Sequence, residues 1–152
     1  MNNLKILNAK EVKEINALLA EQWGCMADTS YAFLRNSKNR IFLVNREIAE
    51  IDLSRLRINS IGMYFCELDE KGIRLSIEGS QLLGPNATKN IVELDEQETA
   101  KWFKGEDIKK ECNGCSGFLL VRNKNDFLGA GKYSKGTILN YVGKTRRINV
   151  HD

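Results

Sequence analysis

The sequence predicts an α+β fold in two parts: an N-terminal α/β module, and a small, mostly antiparallel β-barrel with one helix. Three observations predict it. A single long run near the N-terminus has helical periodicity, and short apolar runs separated by glycine and asparagine turns fill the C-terminal third. The only proline lies between them, in Gly84-Pro85-Asn86. We therefore expect one module over residues 1–88 and a second over residues 89–152.

The N-terminal module is expected to begin with a helix. Asn8 and Glu11 have the spacing of a capping box, and apolar residues recur every three or four positions until Gly24. Residues 30–36 read as a short helical or irregular piece, residues 41–44 as a strand, and residues 45–46 as a turn into residues 48–51. The strands expected next are at residues 58–68 and 73–78. A turn at 69–72 joins them into a hairpin with one solvent-exposed face.

The second module alternates short strands and turns. Residues 91–94 predict a strand, and Asp95 with Glu98 predicts a second capping box for a helix that carries Trp102 and Phe103. Residues 112–116 predict a loop. The last strands are expected at residues 118–122, 127–133 and 137–142, separated by turns at 123–125 and 134–136.

Composition and charge narrow the possible partners. The chain has 152 residues, of which 42% are hydrophobic and 28% charged, as in ordinary soluble globular proteins. No apolar run approaches the ~20 residues needed to span a bilayer, so we expect a cytoplasmic protein without a membrane partner. Residues 1–88 carry 11 basic and 11 acidic residues, residues 89–115 carry 5 and 7, and residues 116–152 carry 7 and 2. The basic C-terminal quarter favours an acidic polymer as partner, with a solvated basic surface as the alternative.

Enzymatic motifs are incomplete. Gly143-Lys144-Thr145 ends like a phosphate-binding P-loop, but Ile138 stands where the first glycine is required. Gly129 and Gly131 begin a dinucleotide-binding pattern whose third glycine is replaced by Ser134. The only histidine, His151, is next to the last residue and is a poor catalytic base. We expect no catalytic residues and no cofactor.

Two of the four cysteines form a C-x-x-C pair, Cys112 and Cys115. A structural zinc would normally need a second pair or histidines at ligand spacing. A zinc site or redox pair is one interpretation, and a turn containing two reduced thiols is the default in a reducing cytosol.

The basic quarter combines the groups that bind RNA. Lysine and arginine supply charge for phosphates, tyrosines such as Tyr133 and Tyr141 supply stacking faces, and Asn140 can bond a base edge or a 2′-hydroxyl. Gly129 and Gly131 have no side chains, so a sugar-phosphate backbone could approach the strand closely there. Such glycines also mark bulges and barrel corners. The expected RNA contacts are Gly129, Gly131, Lys132, Tyr133, Lys135, Asn140, Lys144, Arg146 and Arg147.

These motifs together resemble a PUA domain over about residues 89–150. L-G-x-G-K at residues 128–132, G-x-I-x-N at 136–140 and the basic pair Arg146-Arg147 are similar to the PUA-like tail of Sun-type rRNA cytosine-C5 methyltransferases and to archaeal Nip-related proteins. The remaining motifs of the resemblance are residues 91–94, the Trp102-Phe103 helix, and residues 104–108 and 117–121.

The resemblance implies a fold and a function. Residues 1–88 would be the α/β pre-PUA module of Nip-like proteins, and the pseudobarrel would bind structured RNA through the helix near residues 95–103, the glycine-containing strand and the basic end. The sequence lacks the S-adenosylmethionine fold and the catalytic cysteine motif of the methyltransferases, so catalysis is not implied.

Three hypotheses follow. The first is a stand-alone, non-catalytic RNA-binding protein acting on rRNA or tRNA in ribosome biogenesis or RNA modification. The second is an adaptor whose charge-balanced N-terminal module docks an RNA methyltransferase or a ribosome-assembly factor. The third is a metal-dependent enzyme that uses Cys112 and Cys115.

Overall fold

The computed structural model describes residues 4–49 and 62–142, which form two five-stranded sheets and confirm the α+β class. The N-terminal elements are β1 (Lys5–Ile6), α1 (Ala9–Trp23), β2 (Tyr31–Arg35), β3 (Arg40–Asn45), α2 (Arg46–Ala49), β4 (Met63–Asp69), β5 (Gly72–Leu75) and α3 (Ile77–Leu83). A 3-10 turn (Gly84–Asn86) leads to β6 (Ile91–Glu93), α4 (Glu96–Phe103), β7 (Ile108–Lys109), β8 (Gly117–Asn123), β9 (Asp126–Ser134) and β10 (Thr137–Asn140).

The first sheet is antiparallel, in the order β1-β2-β3-β4-β5, and α1 packs on one of its faces. The predicted capping box is confirmed: the Glu11 amide donates to Asn8 Oδ1 at 2.9 Å, and the Asn8 amide donates to Glu11 Oε1 at 3.1 Å. Gly24 ends the helix in the left-handed conformation, with φ at 72°. Leu19 and Trp23 are fully buried against the sheet.

Two N-terminal predictions are wrong, and in the first of them pairing with distant strands decided the structure. Residues 31–35 form β2, where Phe33 packs toward α1 while Ala32 and Leu34 pack on the opposite face. A strand buried on both faces shows no amphipathic period. The turn expected at residues 45–46 does not form, since Asn45 ends β3 and Arg46 begins α2. The sequence beyond Ala49, up to Ile61, lies outside the described residues.

The hairpin of β4 and β5 is confirmed, but its second strand ends at Leu75, and α3 was not predicted. The sequence pattern predicts a strand through residues 77 and 78, followed by the connection between modules. Ser76 caps α3, with Oγ accepting from the Gly79 amide at 2.8 Å. A Cβ at Gly79 would lie 2.1 Å from the Phe65 carbonyl oxygen, so only glycine permits this close approach of helix to strand.

The second sheet is mostly antiparallel, in the order β6-β8-β9-β10-β7, and curls as a half-barrel with one helix, as predicted. Its one parallel pair is β6 with β8. The Asp95 capping box is confirmed, with the Glu98 amide 2.8 Å from Asp95 Oδ1. Both predicted hairpin turns are present, and Lys135 and Gly136 take left-handed φ angles of 47° and 80°. The two-residue strands β1 and β7 carry too little pattern to predict.

Strand β8 joins the two sheets because both of its faces are buried. Phe118 and Leu120 belong to the apolar cluster that includes α1 and the first sheet. Leu119 and Val121 belong to a second cluster, inside the half-barrel. The described parts of the two predicted modules therefore share a core. Their division at residue 88 stays a prediction.

Trp102 fixes α4 on the second sheet. Its side chain is fully buried, and its indole Nε1 donates to the Leu128 carbonyl oxygen at 3.2 Å. A Cβ at Gly131 would lie 2.9 Å from Trp102 Cη2, 2.8 Å from Ile138 Cγ2 and 2.9 Å from the Leu139 carbonyl oxygen. Because Gly131 has no side chain, the Trp102 indole can pack directly against the backbone of β9 at this position.

We predict that Gly131→Ala lowers the free energy of unfolding by about 1–3 kcal/mol, because the Leu139 backbone and the Trp102 indole must both shift to admit a methyl group. Chemical denaturation of the variant and the parent protein measures the difference. An unchanged midpoint would show that Trp102 does not depend on this glycine.

Candidate nucleic-acid interface

The two glycines predicted to admit a sugar-phosphate backbone are buried in β9. Gly129 has φ at 112°, and a Cβ there would lie 3.3 Å from Ile77 Cγ1. Gly131 packs under Trp102, as described above. Their observed role is to let α3 and α4 approach the sheet, and their direct contact with RNA stays a prediction.

Asn140 and Tyr133 make structural hydrogen bonds. The Asn140 amide nitrogen Nδ2 donates to the carbonyl oxygens of Trp102 at 2.8 Å and Glu106 at 3.0 Å, while its Oδ1 accepts from the Val142 amide at 2.8 Å. The Tyr133 hydroxyl donates to Glu111 Oε2 at 2.9 Å. The polar groups of both side chains therefore already have protein partners.

The two lysines are differently placed. Lys135 is exposed in the turn between β9 and β10. Lys132 lies on β9 with its ammonium 5.8 Å from the centre of the Phe118 ring. Hydrogen bonding with Lys71 lowers the pKa of Lys132; desolvation and the Lys71 charge lower it further, while Asp69 opposes the shift. Lys144, Arg146 and Arg147 lie outside the described residues.

From Lys132, a line of stacked cations and aromatic rings crosses from the second sheet to the first. Phe118 meets Tyr141 edge to face, with ring centres 5.7 Å apart, and the Arg74 guanidinium lies 5.3 Å from the centre of the Tyr141 ring. On the first sheet, the Arg40 guanidinium lies 5.6 Å from the centre of the Tyr64 ring. We call this set the cationic–aromatic strip: Lys132, Phe118, Tyr141, Arg74, Arg40 and Tyr64.

Strand register places the arginines together. Glu67 on β4 is paired with Arg40 on β3 and with Arg74 on β5, so the three side chains share one face of the sheet. The neighbours of Arg74, Ile73 and Leu75, are buried on the α1 side, so Arg74 lies on the opposite face of the first sheet, together with Arg40 and Glu67. Glu67 bridges both arginines, with its Oε1 3.4 Å from Arg40 Nε and its Oε2 2.9 Å from Arg74 Nη2.

Sequence reasoning missed the first-sheet part of the strip. The alternation around Arg74 predicted an exposed side chain, but nothing local places it beside Tyr141, 67 positions later. Tyr64 faces the strip because the β3–β4 register shifts between Ile41 and Phe42. Tyr141 was expected to offer a stacking face, and it is 38% exposed.

A cleft of about 360 Å³ opens along the strip where the sheets meet. Two arginines and one glutamate are the charged groups that line it, whereas the groove beside α4 is lined by four carboxylates and two lysines. A depression beside α1 is lined by three carboxylates and one arginine. Of these three concavities, the junction cleft has the charge best suited to phosphate. Its charged and aromatic lining residues are Arg40, Tyr64, Arg74, Glu78 and Tyr141.

The expectation of free thiols in the 112–116 loop is wrong, because the structure joins Cys112 and Cys115 as a disulfide. Over residues 4–49 and 62–142, no group of three or more histidine, cysteine, aspartate or glutamate residues is placed to hold a metal ion. In the same ranges, every helix is too short or too polar to cross a membrane.

We predict that Asn140→Ala lowers the free energy of unfolding by about 1–3 kcal/mol, because the carbonyl groups of Trp102 and Glu106 lose their donor. Thermal or chemical unfolding measures this loss. If the variant keeps full stability and loses RNA affinity instead, Asn140 acts as an RNA contact and its hydrogen bonds to α4 and the loop after it are incidental.

Residues 89–148 match a family of known proteins. The profile of the methyltransferase RsmF PUA domain matches these residues. Ribosomal RNA small subunit methyltransferase F of Vibrio cholerae serotype O1 (strain M66-2) is 29% identical over 94 residues, which is 62% of this chain and 20% of the enzyme. The same enzyme of Aeromonas salmonicida (strain A449) is 33% identical over 86 residues, which is 57% of this chain and 18% of the enzyme.

A third relative shows similarity outside the PUA domain. Methyltransferase F of Aeromonas hydrophila subsp. hydrophila is 27% identical over 128 residues, which is 84% of this chain and 27% of the enzyme. Only 64 residues follow Thr88, so this similarity extends well into the N-terminal half. The resemblance of residues 1–88 to the Nip-type module stays a prediction. This chain thus matches about a quarter or less of each enzyme's length, and its residues 89–148 are a PUA domain similar to the PUA-like tail of Sun-type rRNA methyltransferases.

Proposed function

We propose that this chain is a non-catalytic RNA-binding protein that acts on rRNA or tRNA in RNA modification or ribosome biogenesis. The observation that carries the proposal is the coincidence of a PUA domain with the cationic–aromatic strip along its edge. The relatives are named for the methylation of ribosomal RNA, which favours rRNA as the partner.

The strip supplies both kinds of contact that an RNA strand needs. Lys132, Arg74 and Arg40 offer cations to the phosphates of an RNA strand, and each phosphate contact releases a counterion. A phosphate placed near Lys132 and Lys71 also relieves the repulsion between their ammonium groups. Tyr141 offers a ring that is partly exposed for stacking on a base.

The absence of a catalytic step is part of the proposal. Two uncharged polar side chains of the half-barrel, Asn140 and Tyr133, have structural partners. The similarity to the methyltransferases covers only 18–27% of their length. The chain is therefore best described as a binding scaffold.

We predict that titration with rRNA fragments gives an affinity that falls as salt rises, and that Lys132→Ala reduces the slope of log affinity against log salt by about 1. Lys13→Ala is the matched control, since Lys13 is an exposed lysine on α1, away from the strip. Absence of binding at low salt, or binding that is indifferent to salt, would end the proposal.

A second candidate function is an adaptor that docks an RNA methyltransferase or a ribosome-assembly factor. Exposed apolar side chains favour it, because Ile6, Leu18 and Met26 all lie in the N-terminal half, and Met26 is 64% exposed. Such side chains are commoner at protein contacts than at RNA contacts.

For the adaptor, we predict that a pull-down from nuclease-treated lysate recovers a methyltransferase or an assembly factor, and that Met26→Ser reduces its recovery. Nuclease treatment removes complexes held together by RNA alone. Recovery that disappears with the RNA would leave RNA binding as the function and reject direct docking.

A further inference from the structure

We propose that the cleft at the junction of the two sheets binds one unpaired nucleotide of an RNA strand, with its base stacked on Tyr141 and its phosphate held by Arg40 and Arg74. This inference rests on the proposed RNA-binding function and gives that function a ligand class and a place. The cleft volume of about 360 Å³ falls within the ~300–1,000 Å³ range of small-molecule pockets.

The aromatic side chains suit a nucleobase. Tyr141 is 38% exposed, and its ring packs edge to face with Phe118 and lies under the Arg74 guanidinium. A ring fixed in this way loses little further freedom when a base stacks on it. Tyr64 lines the cleft on the side of the first sheet. Burial raises the pKa of its hydroxyl, so this group is neutral when it lies beside a phosphate.

The arginines retain donors for an anion. Each guanidinium carries five N–H groups. Among the described residues, Glu67 is the only hydrogen-bond acceptor for the two guanidinium groups, and it accepts from Nε of Arg40 and Nη2 of Arg74. The remaining N–H groups belong to side chains that line the cleft, which is the arrangement that recognises phosphate oxygens.

Glu67 both positions these arginines and competes with the ligand. Its two oxygens hold the guanidiniums on neighbouring strands, while its charge cancels part of theirs. A phosphate therefore binds to donors that are already positioned but partly neutralised. Removing the Glu67 charge while keeping a side chain of the same shape should strengthen binding of the anion.

The cleft is unsuited to the paired bases of an RNA duplex. An A-form helix presents phosphates and 2′-hydroxyls on its surface but keeps its base faces stacked inside. A duplex can contact Lys132 and Lys135 on the outer surface, but it cannot place a base against Tyr141. Single-stranded RNA, a loop or a bulge can do so.

The test uses the full chain and two fluorescent probes, single-stranded hexa-adenylate RNA and a short blunt-ended RNA duplex, with affinity measured by anisotropy. We expect Tyr141→Ala to weaken hexa-adenylate binding about tenfold and to leave duplex binding unchanged. Tyr141→Phe, which keeps the ring, should bind as the parent protein does. Equal losses on both probes, or no loss on either, would overturn the inference.

The variant Glu67→Gln provides a second test that does not depend on Tyr141. We expect several-fold tighter binding of hexa-adenylate at low salt, and circular dichroism confirms the fold. Unchanged or weaker binding would overturn the inference that the Glu67 carboxylate competes with a phosphate for the two arginines. If the parent protein binds neither probe nor rRNA, the proposed function itself fails; if it binds them but these variants behave otherwise, only the nucleotide cleft is rejected.

Discussion

Strand β8 is buried on both faces, and the packing of the two sheets against each other follows from this. Phe118 and Leu120 complete the core under the first sheet, while Leu119 and Val121 fill the half-barrel. Each such side chain contributes roughly 1.5–3 kcal/mol when fully buried. A shift of β8 by one residue would exchange the two sets and move Phe118 away from Tyr141. The register of one strand therefore sets both the packing of the sheets and the alignment of the candidate site.

The candidate interface follows from that packing, because neither sheet contains the whole cationic–aromatic strip. The first sheet provides Arg40 and Arg74, joined by Glu67, and the second provides Lys132 and Tyr141. Further hydrogen bonds hold the junction: Thr88 N donates to the Trp23 carbonyl oxygen at 2.8 Å. Under the proposed function, the PUA domain and the first sheet together form the RNA-binding surface.

The sequence predicted those features that are encoded within a few residues. Both capping boxes, the glycine turns and the PUA resemblance depend on local patterns, and the structure and comparisons confirm them. Strand β2 was missed because its burial on both faces depends on distant partners. Helix α3 was missed because it depends on the approach of Gly79 to the Phe65 carbonyl. The strip joins residues that are far apart in the chain, and no local spacing encodes its register.

The claim that RNA crosses the junction of the two sheets is tested most directly by ultraviolet cross-linking of the full chain to a uridine-containing rRNA fragment, followed by mass spectrometry of the cross-linked peptides. The structure predicts cross-links in both the first-sheet hairpin, at Tyr64, and the second sheet, at Tyr141. Cross-links confined to residues 89–142, with none in β3, β4 or β5, would contradict it and leave RNA binding to the PUA domain alone.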